Sequence, residues 1–323
     1  MLPDLFDQPH SALPIYEGMH DIFAHYPQIV IDVIGTIRTN ELIQYIYRRD
    51  VNLQLQFPFN IRATTNLHVP CADYISFIVY HHHLPIPRGF LPLNLYALKI
   101  TSDIPCPFHL PQNLELFIVD DKFNSKLSIL PQKLDSLFLN GSYNKPIDKL
   151  VLPFNLRILV TGKKFNHPIL HDILPKNLHT LVLGDSYNYS IDANILPPHL
   201  HTLIIGSGYH QKLVIGSLPS SLKIFSIGNN FTYSLDSILP DSIEILLLGN
   251  NVKRLNTIPK STVYIYAPNQ ECYDQLTLLN DGICFIENEY RTIPEICQLM
   301  NHFRIVVADR KRRKRNMKNK TLK

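Results

Sequence analysis

Apolar residues recur through the middle of the chain on a beat marked by proline. Leu-Pro pairs, with Ile-Pro at the end, place Pro92, Pro111, Pro131, Pro153, Pro175, Pro197, Pro219, Pro240 and Pro259 at steps of 19 to 22 residues. Three residues after the proline stands Leu or Ile, from Leu95 to Ile243, and six after stands Leu or Phe, from Leu98 to Leu246. Eight after is aliphatic from Ile100 to Leu248, with Thr161 the exception. Nine after is Gly162, Gly184, Gly206, Gly228 and Gly249 in the later copies. Twelve after comes Phe123, Tyr143, Phe165, Tyr187, Tyr209 or Phe231, and thirteen after comes Asn124, Asn144, Asn166 or Asn188. Counting back from Pro92 by 22 reaches Pro70, in a degenerate first copy, HVPCADYISFIVY.

A unit this short cannot bury its own apolar residues, so it must stack on its neighbours. The alternation at the end of LxxLxL predicts a short strand in each copy. Equivalent strands in register make a parallel sheet, one strand per coil, and about nine coils at ~4.8 Å give a body of roughly 40 Å. Proline stiffens the chain ahead of the strand. Glycine after it suits a turn at positive φ. The aromatic should anchor the return loop, which is too short for a long helix and should be extended or single-turn. The Asn column is expected to bond backbone of its own and the adjacent coil.

The pattern L-P-x-x-L-x-x-L-x-L-G-x-x-[FY]-N, with FNHPI at Phe165 and YNKPI at Tyr143, resembles the FNIP repeat over Leu91 to Leu255. That resemblance implies a leucine-rich-repeat-like solenoid, protein interaction rather than catalysis, and a setting in giant DNA viruses or social amoebae. YHQKL, FTYSL and NVKRL depart from the motif, so an unbroken Asn ladder is not expected there. Some members carry an F-box before the repeats. MLPDLF and ALPIYEGMHDIF echo its Leu-Pro helix start, so a ubiquitin-ligase adaptor, with the repeats as substrate receptor, is the alternative.

The expected organisation is an N-terminal cap or small adaptor region (1–69), the solenoid (70–265), a C-terminal cap (266–309) and a disordered basic tail (310–323). The fold class is thus mainly β, with α+β capping regions at both ends. IVIDVIG, VNLQLQF, STVYIYAP and GICFIEN read as strands; TNELIQYIYRR, ECYDQLTLL and TIPEICQLMNHF read as helices.

Composition changes the picture at one place. The formal charge is +4, but the last fourteen residues carry nine Lys or Arg, leaving the preceding 309 at −5. Arg310, Lys311, Arg312, Arg313, Lys314 and Arg315 form a basic run that suits nuclear localisation or nucleic-acid contact, or is merely a solvated terminus. Nucleic acid is expected only through that tail. The five cysteines show no paired spacing and no signal or membrane segment is evident, so a cytoplasmic, intracellular protein with free thiols is expected.

Phosphate-binding, hydrolase and HExxH motifs are absent from the sequence, so no enzyme and no cofactor is expected. Adjacent His81, His82 and His83 point to alternate faces if on a strand, and no metal site is expected. Candidate partner contacts lie on the opposite face of the strands. Leu116, Ile118, Phe138, Ile158, Val160, Val182, Ile204 and Leu247 should point outward, bordered by Glu115, Asp135, Arg157, His179 and His201. An apolar stripe with a charged margin reads as a protein-binding surface, or as strand propensity alone.

Overall fold

A computed structural model describes residues 28–32, 52–56, 75–80, 85–86, 91–104, 109–252, 255–268 and 284–285. The helices expected at TNELIQYIYRR, ECYDQLTLL and TIPEICQLMNHF, and the tail, lie outside the described residues. So does most of the segment with adaptor character.

The strands are β1 (Gln28–Asp32), β2 (Asn52–Gln56), β3 (Ile75–Tyr80), β4 (Ala97–Ile100), β5 (Leu116–Val119), β6 (Ser136–Leu139) and β7 (Ile158–Thr161). They continue with β8 (Thr180–Leu183), β9 (Thr202–Ile205), β10 (Ile224–Ile227), β11 (Ile245–Leu247), β12 (Tyr264–Tyr266) and β13 (Cys284–Phe285). All described strands form one sheet in chain order, and every adjacent pair is parallel. Strands of the same sheet fall within both predicted cap ranges: β1 and β2 precede residue 70, and β13 follows residue 265.

Register follows the repeat. Leu137 pairs with Leu159, Leu159 with Leu181, and Leu181 with Leu203, so one sequence column becomes one row of the core. In a single coil Leu178, Leu181, Leu183 and Tyr187 are all fully buried. Each such side chain contributes roughly 1.5–3 kcal/mol relative to exposure. The aromatic column stacks from Phe123 through Tyr143, Phe165, Tyr187 and Tyr209 to Phe231, with centroids 6.2–6.3 Å apart and planes within 3–13°. The described return segments contain turns and extended chain but no helix, because so few residues separate one strand from the next.

Two details differ from the sequence expectation. The glycines after the strands are not at positive φ; only Gly141 and Gly216 are, among the described glycines. The reason for Gly184 is space: an added Cβ would lie 2.0 Å from the carbonyl oxygen of Gly162. Left-handed backbone appears instead three residues before the proline, at Leu150, Asp172, Asn194, Gly216 and Ser237. Asp, Asn and Gly suit that geometry, whereas Leu150 is exposed there and strained by about 1–2 kcal/mol.

Thr161, the polar residue in the inward column, is also explained. Its hydroxyl accepts from the Gly184 N–H at 3.1 Å and donates to the Val182 carbonyl at 3.2 Å. Backbone pairing of β7 with β8 stops at Val160–Val182, and the hydroxyl continues the link between coils.

Candidate functional site

Alternation along each strand separates two sets of side chains. Positions six and eight after the proline enter the main core, whereas positions five and seven form the opposite face. That face was expected to meet water, and this needs correction. Leu116, Ile118, Val160, Val182, Ile204 and Leu247 are buried, with Val182 at 0% and Ile204 at 1% exposure. Phe138 and Ile158 are half-buried. Within the chain the centre of this face is closed to solvent.

The charged border is accessible. Glu115 and Arg157 are exposed, and Asp135, His179 and His201 are half-buried. Backbone bonds hold this border in line: Asp135 N–H donates to Glu115 O, Arg157 to Asp135, His179 to Arg157, and His201 to His179, at 2.8–2.9 Å. The line continues through Lys223 and Glu244. The Arg157 guanidinium bonds the Asp135 carboxylate, and Lys223 Nζ lies 3.7 Å from Glu244. The His179 and His201 rings stand 5.0 Å apart, tilted by 59°, and His179 Nδ1 lies 2.6 Å from the Asn177 carbonyl oxygen, to which it donates when protonated.

The Asn column sits elsewhere and acts as a ladder. Each side-chain oxygen accepts the backbone N–H of the equivalent residue in the next coil. Asn144 donates to Asn124 at 2.8 Å, Asn166 to Asn144 at 3.0 Å, and Asn188 to Asn166 at 3.1 Å. His210 donates to Asn188 at 3.0 Å. Asp103 begins the series by accepting from Asn124 N–H.

A second bridging column was missed. Two residues after the proline, Asn113 and Asn155 donate through Nδ2 to Leu93 and Gln132 carbonyls, and Ser221 and Ser242 through Oγ to Leu200 and Leu222. The recurrence of Asn or Ser at that offset was its sequence signal.

The aromatic ladder carries an electrostatic cost. The Tyr187 and Tyr209 hydroxyls are buried against the backbone of Ile169 and Ile191 without a well-formed hydrogen bond. Burial lifts both phenols well above their ordinary value, and the nearby backbone only partly offsets it. Among the described residues no three His, Cys, Asp or Glu side chains converge to hold a metal ion. No described helix is long and apolar enough to cross a membrane. The triplet His81–His83 and the run Arg310–Arg315 lie outside the described residues.

Coil length, one parallel strand per coil and a core of stacked columns define a leucine-rich-repeat-like β-solenoid. Within it, the FNIP Repeat family matches residues 143–178, 165–208 and 209–251, so the chain carries FNIP repeats. The match is narrower than Leu91–Leu255; the shorter coils before Tyr143 fall outside it. Among solved structures, CroV588, described as a novel circular LRR protein, is similar at 22% identity and a TM-score of 0.56. The similarity covers 68% of this chain and 39% of that one, so the chain spans about two fifths of that structure's length. YopM from Yersinia enterocolitica WA-314 is similar at 19% identity and a TM-score of 0.40, over 61% of this chain and 51% of that one. No curated protein matches the chain.

Proposed function

We propose that the protein is a non-enzymatic scaffold that binds a protein partner along the strand side of the solenoid. The supporting observation is the in-register border from Glu115 to His201, accessible beside the half-buried Phe138 and Ile158. Leu116, Ile118, Val160, Val182, Ile204 and Leu247 form the floor beneath this margin and hold it rigid; they are not themselves the contact surface. A rigid row of charges beside apolar groups resembles the polar rim and apolar centre of protein interfaces.

The test is partner recovery with the full chain. Phe138→Asp combined with Arg157→Glu should remove proteins that co-purify with the parent, while the thermal midpoint stays near the parent value. Lys212→Glu, at an exposed site on the return side, should leave recovery unchanged. Undiminished recovery by the double variant would place the contact elsewhere.

A further inference from the structure

Among the described residues, the exposed large aliphatic side chains fall on one edge of the solenoid, the turn that leads into each strand. Ile129, Leu150 and Leu170 stand two, three and five residues before their prolines, and Phe154 stands one after. Ile129 is 71% exposed, Leu150 73%, Leu170 61% and Phe154 60%. These four belong to three consecutive coils. Leu130 N–H donates to Val151 O at 3.1 Å, which sets the turn of Ile129 beside that of Leu150. Lys149 Nζ lies 3.8 Å from the Asp172 carboxylate, which joins the turn of Leu150 to that of Leu170.

Leu150 carries the most weight. The left-handed position three before the proline is filled elsewhere by Asp172, Asn194, Gly216 and Ser237, whereas Leu150 adopts it at φ 71°. Leucine is strained there, and its side chain stands in water. A residue that costs the fold conformational energy and buries little within the chain points to a contact outside it.

Charge indicates what that contact is. Residues 122–176 carry nine Lys or Arg against three Asp, a net +6, although residues 1–309 together stand at −5. On the edge itself Lys126, Lys133, Lys149 and Lys176 are exposed. The two acids of the edge, Asp148 and Asp172, are each met by a lysine, Lys126 at 2.5 Å and Lys149 at 3.8 Å. Lys133 bonds the neutral side chain of Asn113, and neither Lys133 nor Lys176 has a carboxylate partner among the described residues.

We propose that this edge docks the protein on an anionic lipid surface. Ile129, Leu150, Phe154 and Leu170 enter the headgroup region, and the lysines meet the lipid anions. The four tips stand at four different offsets from their prolines, so they form no row that a rigid strand or helix could follow. A fluid interface accepts irregular tips, and lysine stems lie along its apolar side while their ammonium groups stay with the headgroups. Apolar tips and basic charge act together, since either alone gives weak and reversible attachment.

The chain has no tryptophan, so Phe154→Trp supplies a single reporter in the full chain. Vesicles of phosphatidylcholine with phosphatidylserine should shift its emission to the blue, and brominated lipid should quench it. Asn230→Trp, at an exposed turn after β10, should show neither effect. Leu150→Asn in the Phe154→Trp chain should weaken vesicle affinity about tenfold. Its thermal midpoint should stay level or rise, because Asn tolerates left-handed backbone. Weaker binding with undiminished stability is not what a purely structural leucine gives. Lys133→Gln with Lys176→Gln should lower affinity roughly tenfold or more, as phosphatidylcholine alone should. The basic tail also attracts anionic vesicles, so sedimentation with an unshifted Phe154→Trp emission assigns binding to the tail and overturns the proposal. Absence of binding overturns it too. Loss of a co-purifying protein in Leu150→Asn, with vesicle binding unchanged, makes the edge a protein contact and also overturns it. The scaffold reading rests on Phe138, Arg157 and partner recovery, so it stands or falls separately.

Discussion

The coils up to Tyr209 and those beyond it are joined by different side chains. In the first region one column runs unbroken: Asn124, Asn144, Asn166 and Asn188 each accept an N–H from the following coil. In the second, Thr232 occupies that column. The bridges there are made by Asn229, which accepts from Asn250 N–H at 3.0 Å in the column where Asp185 already accepts from Ser207 N–H at 3.2 Å, and by Asp236, which accepts from Asn256 N–H at 2.7 Å. The lesson is that coil stacking demands a side-chain acceptor reaching the next backbone, and several positions of the turn can supply one. Glycine packing from Gly162 onward, and the buried aliphatic columns, are common to both regions.

The largest expected effect tests what the regions share. Gly184→Ala in the first and Gly228→Ala in the second should each cost about 3 kcal/mol or more by urea titration, because a Cβ meets backbone atoms of the preceding coil within 2.0–2.4 Å. A clear difference between the two would show that the regions pack differently. Next comes the bridge itself. Asn166→Ala and Asn229→Ala should both cost ~1–3 kcal/mol by leaving a backbone N–H without its partner. If only Asn166→Ala is costly, the displaced bridges in the second region are not equivalent to the ladder.

The smaller effect separates the regions. The first carries buried phenols at Tyr187 and Tyr209, whereas the ladder continues as Phe231 in the second. Because burial raises the folded-state value of these phenols, the unfolded chain loses its protons first as pH rises. Their contribution is intact below pH 10 and declines above it, by up to about 1.4 kcal/mol per pH unit for each group. Tyr187→Phe with Tyr209→Phe should flatten this alkaline loss in melts between pH 9 and 11. An unchanged slope would assign the loss to other groups.

Much of the fold was legible because the same residue type returns at the same offset. Leu181 and Leu203 could be assigned to one core row before any coordinates, and their pairing follows the period. Tyr187 was readable as an anchor, since only a large apolar ring recurs there. The role of Gly184 was not, because a glycine needed for close approach and one needed for left-handed backbone look alike in sequence. The left-handed position was hidden by its variety: Leu150, Asp172, Asn194, Gly216 and Ser237 share geometry but not type. The candidate site was half legible. Outward alternation of Val182 and Ile204 follows from period two, but their burial depends on what surrounds the sheet. The charge order around Arg157 and Lys223 could be read directly; the ring spacing of His179 and His201 needed the stacked strands.

The forward direction of the Asn bridge has a consequence for how such a chain can grow. The coils of Asn144, Asn166 and Asn188 each offer an oxygen to their successor and meet one from their predecessor, so they share the same plug and the same socket. A stretch of coding sequence that duplicates one such unit inserts a piece that fits both neighbours at once. The near-identical runs LPKNLHTLVLG and LPPHLHTLIIG, starting at Leu174 and Leu196, have the form such a copying event would leave.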